Sequence, residues 1–264
     1  KRNFNTICID HDEILNSDEG LVKWLELLHH KGIAIIKNAP VKEKSAFPLL
    51  NRISHVRETF FKTPFEVINI PKPNNSAYTA HALRNHMDLP WFELPPGYQF
   101  LHCLVNSASG GDSSAVDGFA VGEYLKNNEK EIFDTLVRVP LKFRDMDYTQ
   151  ESHRGFHAPA ISLTKDGDFH DIRFSIATMD VLDCRPDLME KVYKAHRRFG
   201  KLLHDEKFQI NFRLGPGDIY SFNNRRILHG RTAFDPNSGH RHLQGYYMDR
   251  DEIIGRLNFL KKNS

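Results

Sequence analysis

His86-Met87-Asp88 and, far downstream, His229 in Leu228-His229-Gly230-Arg231 are the residues of this chain best suited to do chemistry. Two imidazoles and one carboxylate can occupy one triangular face of a ferrous ion and leave three positions open, the donor set of oxygen-activating iron sites. In an extended segment residues 86 and 88 point to the same side, so both side chains can reach one metal. A His-x-acid triplet alone is weak evidence, because fifteen histidines produce the spacing by chance. His11-Asp12-Glu13 and His204-Asp205-Glu206 share it, yet the first lies in an acidic stretch and the second closes a helical run. His86-x-Asp88 is accompanied by a glycine turn, a partner histidine on a strand and a basic group placed for a carboxylate.

That basic group is Arg241, at the start of a strand beyond His229. A guanidinium forms a bidentate pair with a carboxylate and so can hold the distal end of a dicarboxylate. Ser113, in Gly110-Gly111-Asp112-Ser113, offers a hydroxyl to the same group. The plainer alternatives are an exposed strand arginine and an ordinary hairpin turn. Leu214-Gly215-Pro216-Gly217-Asp218 is a tight turn, and the return through Asn223 to Arg226 is expected to bring His229 to the far end of a barrel, opposite the His86 strand.

The elements that must position these residues are mostly short strands. Alternation and turn residues predict strands at Tyr98–Val105, Ser114–Val116, Pro140–Arg144, Ala160–Leu163, Asp171–Phe174, Phe208–Leu214, Ile219–Phe222 and Arg241–Met248. Many short strands indicate a sandwich or barrel. A helix capped at Asn16-Ser17 carries Leu21, Trp24, Leu25 and Leu28 on one face and ends at Gly32. A second amphipathic stretch covers about 44–62, and further helices are expected at Phe119–Asn127, Glu131–Val137, Leu188–His204 and Asp251–Leu260. The Leu188–His204 helix lies between groups of strands, as an insert packed outside a jelly roll would. Pro71-Lys72-Pro73-Asn74-Asn75 is a loop leading into the metal strand.

At 264 residues and 40% hydrophobic, the chain suits one large domain over residues 1–264. Its 36 basic and 34 acidic residues are interspersed, which argues against a nucleic-acid-binding face. No apolar run approaches the length that spans a bilayer. Cys8, Cys103 and Cys184 are widely spaced and fit free thiols in a reducing, cytoplasmic setting rather than a disulfide framework or zinc ribbon. The first residue is lysine and no signal-peptide pattern follows, so a segment upstream remains open.

Taken in order, Asn85-His86-Met87-Asp88, Pro95-Pro96-Gly97, His102-Cys103-Leu104, Gly110 to Ser113 with Val116-Asp117-Gly118-Phe119, Pro216 to Asp218, Leu228 to Arg231 and Arg241 to Tyr247 resemble the γ-butyrobetaine and trimethyllysine dioxygenases, within the taurine dioxygenase group. The likeness runs from about Ile7 to Leu260. It implies a mainly β fold with flanking and inserted helices, a double-stranded β-helix or jelly roll. It implies Fe(II), 2-oxoglutarate and O2 as cofactor and cosubstrates, with hydroxylation of an unactivated C–H bond and release of succinate and CO2. His86, Asp88 and His229 match the family's iron ligands, and Arg241 and Ser113 match its 2-oxoglutarate contacts. The resemblance further implies a homodimer, and a small N-terminal zinc domain of family members would end where this chain starts.

The substrate reading rests on aromatics. A quaternary ammonium cannot donate ordinary hydrogen bonds but is attracted to ring faces. By resemblance the cage positions fall on Phe61, Phe65, Tyr78 and Tyr247, all aromatic here, although core packing is the ordinary use of such residues. Asn75 is retained at the other end of the substrate. Departures from the γ-butyrobetaine pattern are Ser175-Ile176 before Ala177-Thr178, where those enzymes have an Asn-Asn pair, and Leu89, where they have tyrosine. Arg84 shares strand parity with His86 and Asp88 and either faces the site or faces solvent at the strand entrance. The expected substrate is a small quaternary-ammonium zwitterion ending in a carboxylate or phosphonate. A hydroxylase of another small anion and a catalytically silent metal-binding sensor are the alternatives.

Overall fold

The computed structural model describes residues 4–69 and 79–262. In chain order its strands are β1 (Cys8–Asp10), β2 (Ile33–Lys37), β3 (Phe65–Ile68), β4 (Leu83–His86), β5 (Tyr98–Asn106), β6 (Ser109–Gly110), β7 (Ser113–Asp117), β8 (Leu141–Asp147), β9 (Ser152–Ala158), β10 (Ile161–Leu163), β11 (Phe169–Ile172), β12 (Gln209–Phe212), β13 (Ile219–Asn223), β14 (Ile227–Arg231), β15 (Phe234–Asp235) and β16 (Arg241–Met248). Its helices are α1 (His11–Asn16), α2 (Asp18–Glu26), α3 (Phe47–Leu50), α4 (Gly118–Asn128), α5 (Lys130–Arg138), α6 (Met189–Leu202) and α7 (Arg250–Lys262).

Two sheets form the jelly roll. The larger runs β1-β2-β13-β5-β16-β3 and the smaller β12-β7-β14-β4. Between them Ile35, Cys103, Leu243, Ala115, Tyr220, Phe222 and Ile227 make one buried cluster. Outside the larger sheet, α2, α3 and α7 bury Trp24, Leu25, Leu49, Ile253 and Leu257 against Phe100 and Tyr246. Outside the smaller sheet, α4, α5 and α6 pack Val121, Leu136 and Phe199 on Val116 and Leu228. The fold is therefore helix, sheet, sheet, helix.

The local causes are visible. Ser17 caps α2 by accepting from the Gly20 N–H at 2.9 Å. A Cβ at Gly20 would sit 2.1 Å from the Glu13 carbonyl, so glycine lets α1 and α2 approach. The helix runs on as a π turn to Lys31 and stops at Gly32, φ 75°, as the sequence led one to expect. Helices α4 to α7 fall where the periodicity placed them. The amphipathic stretch at 44–62 does not: only Phe47–Leu50 is helical, because Lys44 and Lys62 take positive φ and Pro48 can only open a helix. Strand β9 escaped the sequence reading, its Ser-His-Arg-Gly-Phe-His lacking the apolar residues that signal a strand.

Candidate metal centre and substrate cleft

Strands β4 and β14 pair antiparallel with His86 directly opposite His229. This corrects the expectation that the two histidines approach from opposite ends of the barrel: they are neighbours on hydrogen-bonded strands. The register shifts just past them, where Gly230 meets a bulge in β4. A Cβ on Gly230 would lie 2.6 Å from the Leu83 carbonyl, so only glycine allows that pairing.

The Nε2 atoms of His86 and His229 lie 3.3 and 3.7 Å from Asp88 Oδ1. Ligand atoms of all three residues fall within 4.8 Å of one another, the one such cluster among the described residues. His86 Nδ1 donates to the Arg84 carbonyl at 2.8 Å, which turns the Nε2 lone pair toward the centre. The Tyr247 hydroxyl donates to Asp88 Oδ2 at 2.6 Å, leaving Oδ1 to face the histidines. Burial, with the neighbouring His86, pushes His229 down to about 3 and keeps it neutral. Burial opposes ionisation of Asp88, but the two imidazoles and the Tyr247 hydroxyl outweigh it and hold its carboxyl below the usual range. For His86 burial is in turn outweighed by Asp88, so its proton would leave when a metal arrives. A neutral buried imidazole, an ionised carboxylate and a second imidazole with a fixed tautomer fit a divalent ion of the iron class.

Residues around the triad lock it in place. Asn224, buried, donates to the Asp88 and Pro96 carbonyls and accepts from the Asp88 N–H at 2.9 Å. Asn85 donates to the Leu203 carbonyl and Gln209 and accepts from Ser114, and its N–H donates to His204 Nε2. Arg173 donates to the carbonyls of Pro90, Phe92 and Glu93, clamping the loop after Asp88. Sequence reasoning quoted Asn85 only as part of the Asn85-His86-Met87-Asp88 motif, gave none of these three residues a role and dismissed His204. Their one sequence signal is a polar side chain inside an otherwise structural run.

Arg241 and Ser113 are buried, and neither lines the cleft described below. Arg241 Nε has no partner among the described residues, and Gly111 leaves room for that side chain, a Cβ there lying 3.1 Å from it. Burial lowers the Arg241 pKa from the usual guanidinium range. A buried guanidinium without an acid is a site waiting for an anion. Arg231 lies beside it, and both guanidinium groups flank Phe234 at 5.2 and 5.8 Å. Arg231 differs in donating to the carbonyls of Thr79 and His81.

A cleft of about 510 Å³ opens on His86 and Asp88 and is walled by Phe61, Phe65, Arg84, Trp91, Asp145 and Tyr247. Phe65 and Tyr247 stack at 4.8 Å and 23°, and Phe61 stands 6.4 Å from Phe65. The Phe65 ring lies flat on Gly245, where a Cβ would come within 2.0 Å of it. Trp91 was missed by the sequence reading; its Nε1 is buried without a partner among the described residues. Asp145 is half-buried and pairs with Arg154 at 3.4 Å. Arg84 is exposed, lines the cleft and has no side-chain partner among the described residues. Asn75 and Tyr78 lie outside the described residues.

The model of the taurine catabolism dioxygenase TauD, TfdA family matches residues 2–247. The chain belongs to that family. It is 38% identical over 253 residues to a γ-butyrobetaine dioxygenase of Pseudomonas sp. (strain AK-1), covering 96% of this chain and 66% of the relative. It is 30% identical over 257 residues to the mitochondrial trimethyllysine dioxygenase of Bos taurus, covering 96% and 60%. The chain thus spans about two thirds or less of the length of these relatives. Among solved structures, an asparagine oxygenase in complex with Fe(II), 3-hydroxyasparagine and succinate superposes with a TM-score of 0.69 at 15% identity, covering 92% of this chain and 93% of that one. That likeness bears out the jelly-roll fold.

Proposed function

We propose that this chain is the catalytic domain of an Fe(II)- and 2-oxoglutarate-dependent dioxygenase that hydroxylates a C–H bond of a small quaternary-ammonium zwitterion. The observation that carries the reading is the convergence of His86, Asp88 and His229, the first two at the floor of a cleft with aromatic walls. The 38% identity to a γ-butyrobetaine dioxygenase supports the same class. Bound ferrous iron supplies the oxygen chemistry that couples 2-oxoglutarate and O2 to succinate, CO2 and one oxygen atom placed in the substrate C–H bond.

The protein's part is placement and dryness. Tyr247 and Asn224 fix the Asp88 carboxylate from its side-chain and backbone ends. Arg241, with Ser113, is the group we assign to the distal carboxylate of 2-oxoglutarate, since its guanidinium is buried and no acid neutralises it. Phe61, Phe65 and Tyr247, with Tyr78, are assigned to the trimethylammonium group and Arg84, with Asn75, to the anionic end.

A titration of the wild-type protein with choline and with its neutral tert-butyl isostere, 3,3-dimethylbutanol, tests the substrate class. Choline should bind more tightly by about 0.5–2 kcal/mol. Equal binding would remove the cage and favour a hydroxylase of another small anion.

A further inference from the structure

We propose that a second cavity, joined to the substrate cleft at Arg84 and Ile176, is an annex that receives a doubly charged oxyanion at the substrate's anionic end; this rests on the reading of the cleft as a zwitterion site. The cavity measures about 560 Å³ and is walled by Arg84 and Ile176 from one side, Met179 and Val181 from another, and Tyr193, His196, Arg197 and Lys201 of α6. Arg84 and Ile176 line both spaces, so the annex adjoins the cleft at these two side chains.

Charge decides what the annex would hold. Arg84, Arg197 and Lys201 have no side-chain hydrogen bond or ion pair among the described residues. The one carboxylate in the wall, Asp180, is already engaged by Lys142 at 3.3 Å and Arg144 at 3.1 Å. Three exposed cations therefore line one space and none has an ion pair among the described residues, although Arg197 and Lys201 also border a neighbouring groove that holds Glu129, Glu131 and Glu190. Elsewhere on α6, Lys191 pairs with Glu131 of α5 and Arg198 with Glu129, the residue just before α5. Of the α6 cations without a side-chain partner among the described residues, Arg197 and Lys201 line the annex and Lys194 does not.

Helical spacing sharpens the point. Tyr193, Arg197 and Lys201 repeat every four residues and share one stripe of α6. Like charges at that spacing repel, an arrangement that costs stability unless an anion bridges them. The wall behind them is stiff, because His196 stacks on Phe174 at 4.8 Å and 23°. Gly200 lies flat against that same Phe174 ring, a Cβ there lying 3.1 Å from it. Phe174 also accepts from the Met87 N–H through its carbonyl, which ties the annex wall to the metal strand. A singly charged carboxylate matches one such cation; three cations lining one space suit a group with two negative charges and several acceptor oxygens.

Three probes at constant ionic strength test this: inorganic phosphate, choline and phosphocholine, titrated calorimetrically into wild type and the Arg197→Gln/Lys201→Gln double variant. Phosphocholine should bind wild type at least tenfold more tightly than either phosphate or choline. The double variant should lose most of that gain, keep its choline affinity, and keep the visible absorption of bound Fe(II) and 2-oxoglutarate. Equal phosphocholine affinity in wild type and double variant would overturn the annex. Should wild type bind phosphate in an Arg197- and Lys201-dependent way but not choline, the annex stands as an anion site while the cage in the proposed function falls.

Discussion

Tyr247 carries two roles in one side chain: its ring walls the cleft against Phe65, and its hydroxyl holds Asp88. Tyr247→Phe separates them. It keeps the aromatic surface and removes the hydrogen bond that reserves Oδ1 for a metal. Loss of a hydrogen bond that orients a metal ligand typically weakens metal affinity by about 10- to 100-fold. We predict a drop at the low end of that range in Co(II) titrations of Tyr247→Phe, with choline affinity retained; unchanged Co(II) affinity would show that the hydroxyl does not orient the carboxylate. For the cosubstrate, Arg241→Ala should raise the 2-oxoglutarate concentration needed for half-saturation by an amount equivalent to about 1.5–3 kcal/mol while metal binding persists. Arg231 already donates to two backbone carbonyls, so Arg231→Ala should first show as lost stability. A selective cosubstrate defect in Arg231→Ala and none in Arg241→Ala would transfer the role.

At the scale of elements, glycines decide how closely side chains and strands approach the site. Gly245 on β16 gives the Phe65 ring its seat, and any side chain there must displace the ring. Gly245→Ala should cost about 1–3 kcal/mol in urea unfolding, as overpacking does, and weaken choline binding with it; an unchanged midpoint would mean that the ring can move freely. Much of this scaffold was legible from the chain. Period-two and period-3.6 patterns located about half of the strands and four of the longer helices, and His86, Asp88 and His229 were readable because few side chains combine that donor chemistry with extended parity. What was not legible is pairing. Nothing local to His229 says that it stands across from His86 on the next strand, since register is set by long-range contacts and by the bulge at Gly230. The roles of Asn85, Asn224, Arg173 and His204 were invisible for the same reason: the groups they bond around the site are distant in sequence.

The molecule as a whole has an acid-sensitive point remote from the metal centre. His102 on β5 is fully buried, and neither ring nitrogen has a partner among the described residues. Burial, with the His11 ring nearby, pulls its pKa down to about 4. In the unfolded chain a histidine titrates near 6.5. Between those values the unfolded state binds the extra proton, so stability falls as pH drops from about 6.5 to about 4 and is unaffected by this group above 6.5. The loss approaches about 3 kcal/mol at the acid end. His102→Met should flatten that limb of a plot of unfolding free energy against pH; an unchanged slope would show that other groups govern acid unfolding.

The central claim, a facial iron site that holds 2-oxoglutarate, is tested most directly by anaerobic addition of Fe(II) and 2-oxoglutarate with the visible spectrum recorded. Wild type should develop the weak metal-to-ligand charge-transfer band of a chelated keto acid. Folded Asp88→Ala should not, and Arg241→Ala should require more 2-oxoglutarate to reach the same band. Absence of the band in wild type, or its persistence at full intensity in Asp88→Ala, would contradict the account.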